Sequence, residues 1–193
     1  MEFSIKHRPV FSVLEIQLLA DEVVVAQPNS MLSMTSGIKL RARAGRSGTR
    51  GGGGLLGGMK SMLGGENFFT AEFYARRNDQ ILTLAPDSYG DILTIPLADA
   101  GGFFLTRGSY LANVGDCELR VKYGGVKGFM AKTGLFLLHA SGRGTAFCQT
   151  YGAIVERELS DEEDFFVDNK FVVAFSDTVQ YQLVKATESV KDS

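Results

Sequence analysis

Tryptophan is absent from this 193-residue chain, and cysteine, histidine and proline are scarce, at two, two and four residues. Two cysteines, Cys117 and Cys148, cannot build a disulfide framework, and they lack the Cys-x-x-Cys spacing of a zinc or redox site. They read as buried free thiols. The two histidines, His7 and His139, stand far apart, and no His-Glu-x-x-His, Gly-x-Ser-x-Gly or calcium-loop pattern accompanies them. So thin a catalytic inventory points away from an enzyme and implies no cofactor and no metal. An excess of one charge is missing as well: 20 Lys and Arg stand against 22 Asp and Glu, for a net charge of -2. That balance argues against nucleic acid as a partner. No apolar run approaches the roughly 18 residues of a membrane-crossing helix. Met1 to Arg8 carries neither a signal h-region nor an Arg- and Ser-rich transit pattern, so a cytoplasmic protein is expected.

What the chain does have is 23 glycines, 14 phenylalanines and 45% hydrophobic residues. Apolar and β-branched residues recur at every second position in short stretches, which Gly, Asn, Asp or Pro interrupt. Strands are predicted over 13–18, 22–26, 68–75, 80–84, 91–97, 103–107, 119–123, 135–140, 145–150, 153–159, 165–168, 171–175 and 179–184. The longest helix candidate, Leu55 to Leu63, contains Gly57 and Gly58, and each glycine costs a helix interior about 1 kcal/mol relative to alanine. The fold class is all-β, in a single domain over 1–193.

A repeat orders these strands. Ser30-Met31-Leu32 through Leu40 lines up with Ser109-Tyr110-Leu111 through Leu119 at an offset of 79, and with 171–181 at a further 62. Gly57-Gly58-Met59-Lys60 followed by Phe68-Phe69 matches Gly124-Gly125-Val126-Lys127 followed by Leu135-Phe136 at an offset of 67. The difference of 12 locates an insertion between Leu40 and Gly57. The repeat units run over about 22–99, 102–160 and 164–193, and the third is incomplete. Val13 to Leu18 resembles Ile154 to Leu159, so the N-terminal stretch 3–18 is expected to close the array, as terminal strands do where a repeat must hide its edges.

Several short motifs in order carry a family resemblance: Gly53-Gly54-Leu55-Leu56-Gly57-Gly58, Gly90-Asp91-Ile92, Arg107-Gly108-Ser109-Tyr110-Leu111-Ala112, and Leu135 through Thr145. Together they resemble the altered-inheritance-of-mitochondria 24 family, also called domain of unknown function 124, over nearly the whole chain. The resemblance implies an antiparallel β-sandwich of the tryptophan-attenuator-like type, built from internal repeats, with a tendency to form trimers or rings. It implies no established activity. Eukaryotic relatives are linked to mitochondrial inner-membrane organisation, a location expected here only of a relative that carries a transit peptide.

Among candidate sites, Lys39 to Gly65 holds six basic residues and no acid. Arg41, Arg43, Arg46, Arg50 and Lys60, with Leu55 and Leu56, describe a glycine-rich cationic loop able to meet an anionic membrane surface or a protein partner. The plainer reading is a solvated hairpin insertion. Gly52-x-Gly54-x-x-Gly57 and Gly58-Met59-Lys60-Ser61 mimic nucleotide-binding loops, but Met59 separates glycine from lysine and no βαβ unit surrounds them. Glu156 to Asp168 holds seven acids and one base, Arg157, without the ligand spacing of a calcium loop. It reads as a solvated turn that discourages edge pairing. His139, on an apolar strand, reads as structural, and Arg107-Gly108-Ser109 and Arg143-Gly144-Thr145 as turn chemistry before anion nests. The function expected is a non-enzymatic homo-oligomeric scaffold for protein or membrane interaction. The alternative, by analogy of fold, is a small-ligand or RNA-binding module.

Overall fold

Alternation in Val13-Leu14-Glu15-Ile16-Gln17-Leu18 sends Leu14, Ile16 and Leu18 into the core, while Gln17 stays in water. That pattern builds most of the architecture. The computed structural model describes residues 1–44, 69–98, 101–106, 108–122 and 137–184. The strands are β1 (Glu2–Lys6), β2 (Val13–Leu18), β3 (Val23–Ala26), β4 (Met31–Met34), β5 (Ile38–Ala44), β6 (Phe69–Ala75), β7 (Gln80–Leu84), β8 (Ile92–Leu97), β9 (Phe103–Thr106), β10 (Tyr110–Lys122), β11 (Leu137–Gln149) and β12 (Ala174–Ser176). They form a four-stranded sheet in the order β1-β2-β7-β4 and an eight-stranded sheet in the order β12-β9-β11-β10-β3-β6-β5, with β8 also on β11. Every strand pair is antiparallel, and the two sheets face each other as a β-sandwich.

The main core lies between the sheets, where Leu14, Ile16, Leu82 and Leu84 meet Val24, Phe73, Leu111 and Phe147. Burying each of these large side chains stabilises the fold by about 1.5–3 kcal/mol. A second core gathers Ile95, Leu97, Leu105, Tyr110, Leu119, Leu138 and Cys148. The β10–β11 hairpin feeds both cores, because successive side chains point to opposite faces: Leu111 and Phe147 go to one, Tyr110 and Cys148 to the other. Midway the two backbones pass closely. Gly142 has φ +104°, and a Cβ there would lie 2.4 Å from the Asp116 carbonyl oxygen, so only glycine fits.

Two three-stranded blocks share one register. In the first, β6 lies between β3 and β5, pairing Phe73 with Val24 and Leu40. In the second, β11 lies between β9 and β10, pairing Ala140 with Phe103 and Leu119. Adding 79 to the outer strands and 67 to the inner one converts the first set of pairs into the second.

Several expectations need correction. Of the predicted strands 135–140 and 145–150, residues 137–140 and 145–149 belong to one strand, β11, and 119–122 is the end of β10 rather than a separate element, while 123, 135 and 136 lie outside the described residues. Gly142 and Gly144, between those stretches, do not end the strand. Residues 153–159, 165–168 and 179–184 alternate well yet form no strand, because no backbone neighbour pairs with them among the described residues. The predicted strand 171–175 shrinks to β12, preceded by a 3-10 turn, Asn169–Phe171, capped by the Asp168 side chain. Strands β4 and β5 lie outside the predicted strands, and the N-terminal stretch 3–18 divides into two strands, β1 and β2.

Candidate interaction surface

Arg41 and Arg43 stand in strand β5 and not in a loop, which corrects the expectation for the start of the basic segment. The reason is local: Ile38-Lys39-Leu40-Arg41-Ala42-Arg43-Ala44 alternates apolar with cationic residues, and pairing with β6 extends that alternation to Ala44. Ile38 enters the core, while Lys39 and Arg41 are exposed at the outermost strand of the larger sheet. The Arg41 guanidinium lies 5.6 Å from the centre of the Tyr74 ring, and Tyr74 donates its hydroxyl proton to the Asp21 carboxylate. That bond raises the Tyr74 phenol above its usual pKa. Arg46, Arg50, Leu55, Leu56 and Lys60 lie outside the described residues.

The acidic segment organises itself around its one base. Arg157 pairs with Glu163, and its guanidinium sits 4.4 Å from the centre of the Phe165 ring. Glu163 also accepts the Ser160 N–H at 3.0 Å, and Arg157 pulls the Glu163 carboxyl below its ordinary pKa. The turn is thus held from within. Val155, Phe165, Phe166, Val167 and Phe171 lie exposed along this stretch.

His139 is joined to a residue 38 positions away. Its Nε2 lies 2.9 Å from Asp177 Oδ2, and the same oxygen accepts the Gly102 N–H at 2.8 Å. With Asp177 ionised, Nε2 carries the proton and donates. His139 is the first cause that lowers the Asp177 carboxyl below its usual pKa. Phe104 lies against His139, and Phe175 and Tyr181 pack on Phe104 at ring-centre distances of 5.4 and 5.8 Å. Among the described residues nothing nucleophilic is held in hydrogen bonds to this pair, whose effect is to fasten β12 and the following turn to β9 and β11.

At another edge, Asp91 of the Gly-Asp-Ile motif is buried and accepts four short bonds. Arg8 donates from Nε to Oδ1 and from Nη2 to Oδ2, each at 2.8 Å, and Ser12 Oγ and the Ile92 N–H both donate to Oδ1 at 2.8 Å. Burial alone raises such a carboxyl, but Arg8, Ile92 and Ser12 outweigh it and hold Asp91 below its usual pKa. Gly90 precedes it because a Cβ would fall 1.7 Å from the Thr150 carbonyl oxygen. Sequence reading singled out the motif as a family mark and missed its structural role, since Arg8 lies 83 residues away. Beside it, Phe11 and Tyr89 pack edge to face at 5.2 Å and remain exposed.

The thiols are inert by environment. Cys148 is fully buried and Cys117 partly so, and desolvation pushes both up to about 12. The Ser109 hydroxyl of the Arg-Gly-Ser stretch donates to the carbonyls of Thr106 and Val173, 2.8 Å each, as turn chemistry requires. Among the described residues, no helix is long and apolar enough to cross a membrane.

Comparison with known proteins places these features in a family context. The family model described as mitochondrial biogenesis AIM24 matches residues 3–193. An uncharacterized protein of Streptococcus pyogenes serotype M6 is 29% identical over 186 residues, covering 95% of this chain and 73% of that one. The X-ray crystal structure of a Streptococcus pyogenes protein superposes with a TM-score of 0.74 at 27% identity, over 98% of this chain and 83% of that one.

Proposed function

The chain belongs to the mitochondrial biogenesis AIM24 family, and from that premise we propose that it is a non-enzymatic β-sandwich scaffold that assembles with copies of itself and offers a surface to protein partners. One observation carries the reading. Between Tyr151 and Phe171 large apolar side chains stand in water, Val155 at 93% and Phe166 at 68% exposure. The run Phe165-Phe166-Val167, exposed in all three side chains, favours cover by another surface. The cationic outer strand β5, with Lys39 and Arg41 exposed, supports a second contact that selects anionic partners. The His139–Asp177 pair supports a structural use of this histidine-acid contact, because both members fasten chain segments together.

Native mass spectrometry on freshly purified protein tests this function, since one spectrum reports subunit number and any retained small molecule. A trimer or ring without adduct is the expected result. A monomer with a stoichiometric small-molecule adduct overturns the scaffold reading in favour of a ligand-binding module. Flotation with anionic vesicles at low and high salt separates a membrane surface from a protein partner, and salt-sensitive retention assigns the cationic strand to membranes.

A further inference from the structure

The two strand junctions that link successive blocks have the same geometry. At the first, β3 pairs with the start of β10, Val25 opposite Asn113 and Val24 opposite Val114. At the second, β9 pairs with β12, Phe104 opposite Phe175 and Phe103 opposite Ser176. Adding 79 to the first member and 62 to the second converts one junction into the other. The turn leading into the receiving strand β10 has a counterpart before β4: Ser109 Oγ donates to the Thr106 carbonyl and Ser30 Oγ to the Gln27 carbonyl, both at 2.8 Å.

Continuing the series places 165–168 in the role of β3 and β9, since Phe104 plus 62 is Phe166. It places β4 in the role of the receiving strand, since Asn113 minus 79 is Met34. Both halves of this third junction exist, and among the described residues neither is used. The backbone of 165–167 makes no hydrogen bond among the described residues, and Phe165, Phe166 and Val167 are exposed. Strand β4 is the outer strand of the smaller sheet, bonded to β7 alone among the described residues. It carries no charge, and Met31, Leu32 and Met34 are 39%, 61% and 39% exposed. An uncharged apolar edge is the kind of edge that natural sheets protect, so one left bare is a template for an incoming strand.

We propose that 165–168 of one copy adds antiparallel to β4 of a second copy, Phe166 opposite Met34 and Val167 opposite Ser33. This rests on the self-assembly reading above and names its interface. The register places Asp164 opposite Ser36, and the Ser36 hydroxyl holds the Arg77 guanidinium at 3.0 Å, so the acidic residue that precedes the incoming strand meets a cation. Apolar side chains cover apolar side chains, and no like charges face each other. The contact joins two different surfaces, so repetition gives a closed ring or an open chain, and the angle between copies decides which.

The test uses the full chain and its exposed positions. Met34→Lys and Phe166→Lys each place a charge in the proposed contact and are expected to weaken assembly by about tenfold or more by sedimentation, the scale of a central interface residue, with unchanged circular dichroism. Met34→Lys combined with Phe166→Asp restores a complementary pair and is expected to recover assembly. Mild oxidation of the Met34→Cys/Phe166→Cys chain is expected to give covalent dimers and higher species on a non-reducing gel, because both native thiols are shielded. If the unmodified chain stays monomeric at every concentration, both this inference and the self-assembly reading fall. Assembly untouched by the single lysine variants sinks the interface alone. A disulfide confined within single chains shows that the strand closes on its own β4, and likewise overturns the contact between copies.

Discussion

Asp177 Oδ2 takes two hydrogen bonds at once, from His139 Nε2 and from the Gly102 N–H, and so binds β12 and its following turn to the body of the larger sheet. The Asp177 carboxyl is held below its ordinary pKa by this arrangement. A carboxyl lowered on folding stabilises the native state above its unfolded pKa of about 3.9 and loses that contribution as pH falls through the lower folded value. Asp177→Asn should therefore flatten the acid limb of the stability curve below about pH 4. It should also speed amide exchange in Ala174–Ser176 while leaving β2 and β7 protected. Unchanged exchange at β12 would show that the pair holds nothing.

Asp91, paired with Arg8, is a more buried carboxylate than Asp177, at 8% against 26% exposure. Asp91→Ala leaves Ser12 and the Ile92 N–H without their acceptor and is expected to cost about 2 kcal/mol in urea unfolding, less than a fully buried pair because Arg8 is half exposed. Arg8→Gln removes the main group that lowers the carboxyl, so its folded pKa rises. Stability should then be smaller at neutral pH and begin to fall at a higher pH than in the unaltered protein. An acid limb that does not move would contradict the assignment.

Glycine content alone does not say which glycines matter, and two positions make the contrast. Gly90→Ala drives a methyl into the Thr150 carbonyl and is expected to cost about 3 kcal/mol or more. Gly108→Ala meets nothing within 4 Å and should be neutral or slightly stabilising, by reducing the freedom of the unfolded chain. Melting temperatures of the two variants decide the matter, and equal losses would refute the reading.

Thiol chemistry offers a folding readout. With both cysteines pushed up to about 12, almost no thiolate exists at neutral pH. Labelling by a thiol reagent should be slow in the native protein and rapid for both residues in denaturant. Fast native labelling of Cys117 would place it in a more open setting than its half-buried position implies.

Much of the fold was legible from alternation. The bounds 13–18 and 80–84 coincide with β2 and β7, because each buries one face against a continuous core and period-two patterning reports that directly. The β10–β11 hairpin was read as fragments, since Gly142 and Gly144 look like breaks when only local preference is considered. Across the sheet they are the places where two backbones pass too closely for a side chain. The candidate surface was half legible: the cationic run was visible, but its first two arginines proved to lie on a strand because β6 pairs with that stretch.

The sequence by itself determined the fold class, the family and the positions of most strands, because these depend on residue patterning along a few consecutive positions. Tertiary structure alone decided which alternating segments find partners. Residues 103–106 and 165–168 follow the same pattern, yet only the former is paired among the described residues, since pairing needs a backbone neighbour that local sequence does not supply. It also decided that His139 meets Asp177 and that Arg8 meets Asp91, contacts across 38 and 83 residues that exist only once the sheets have brought those strands together.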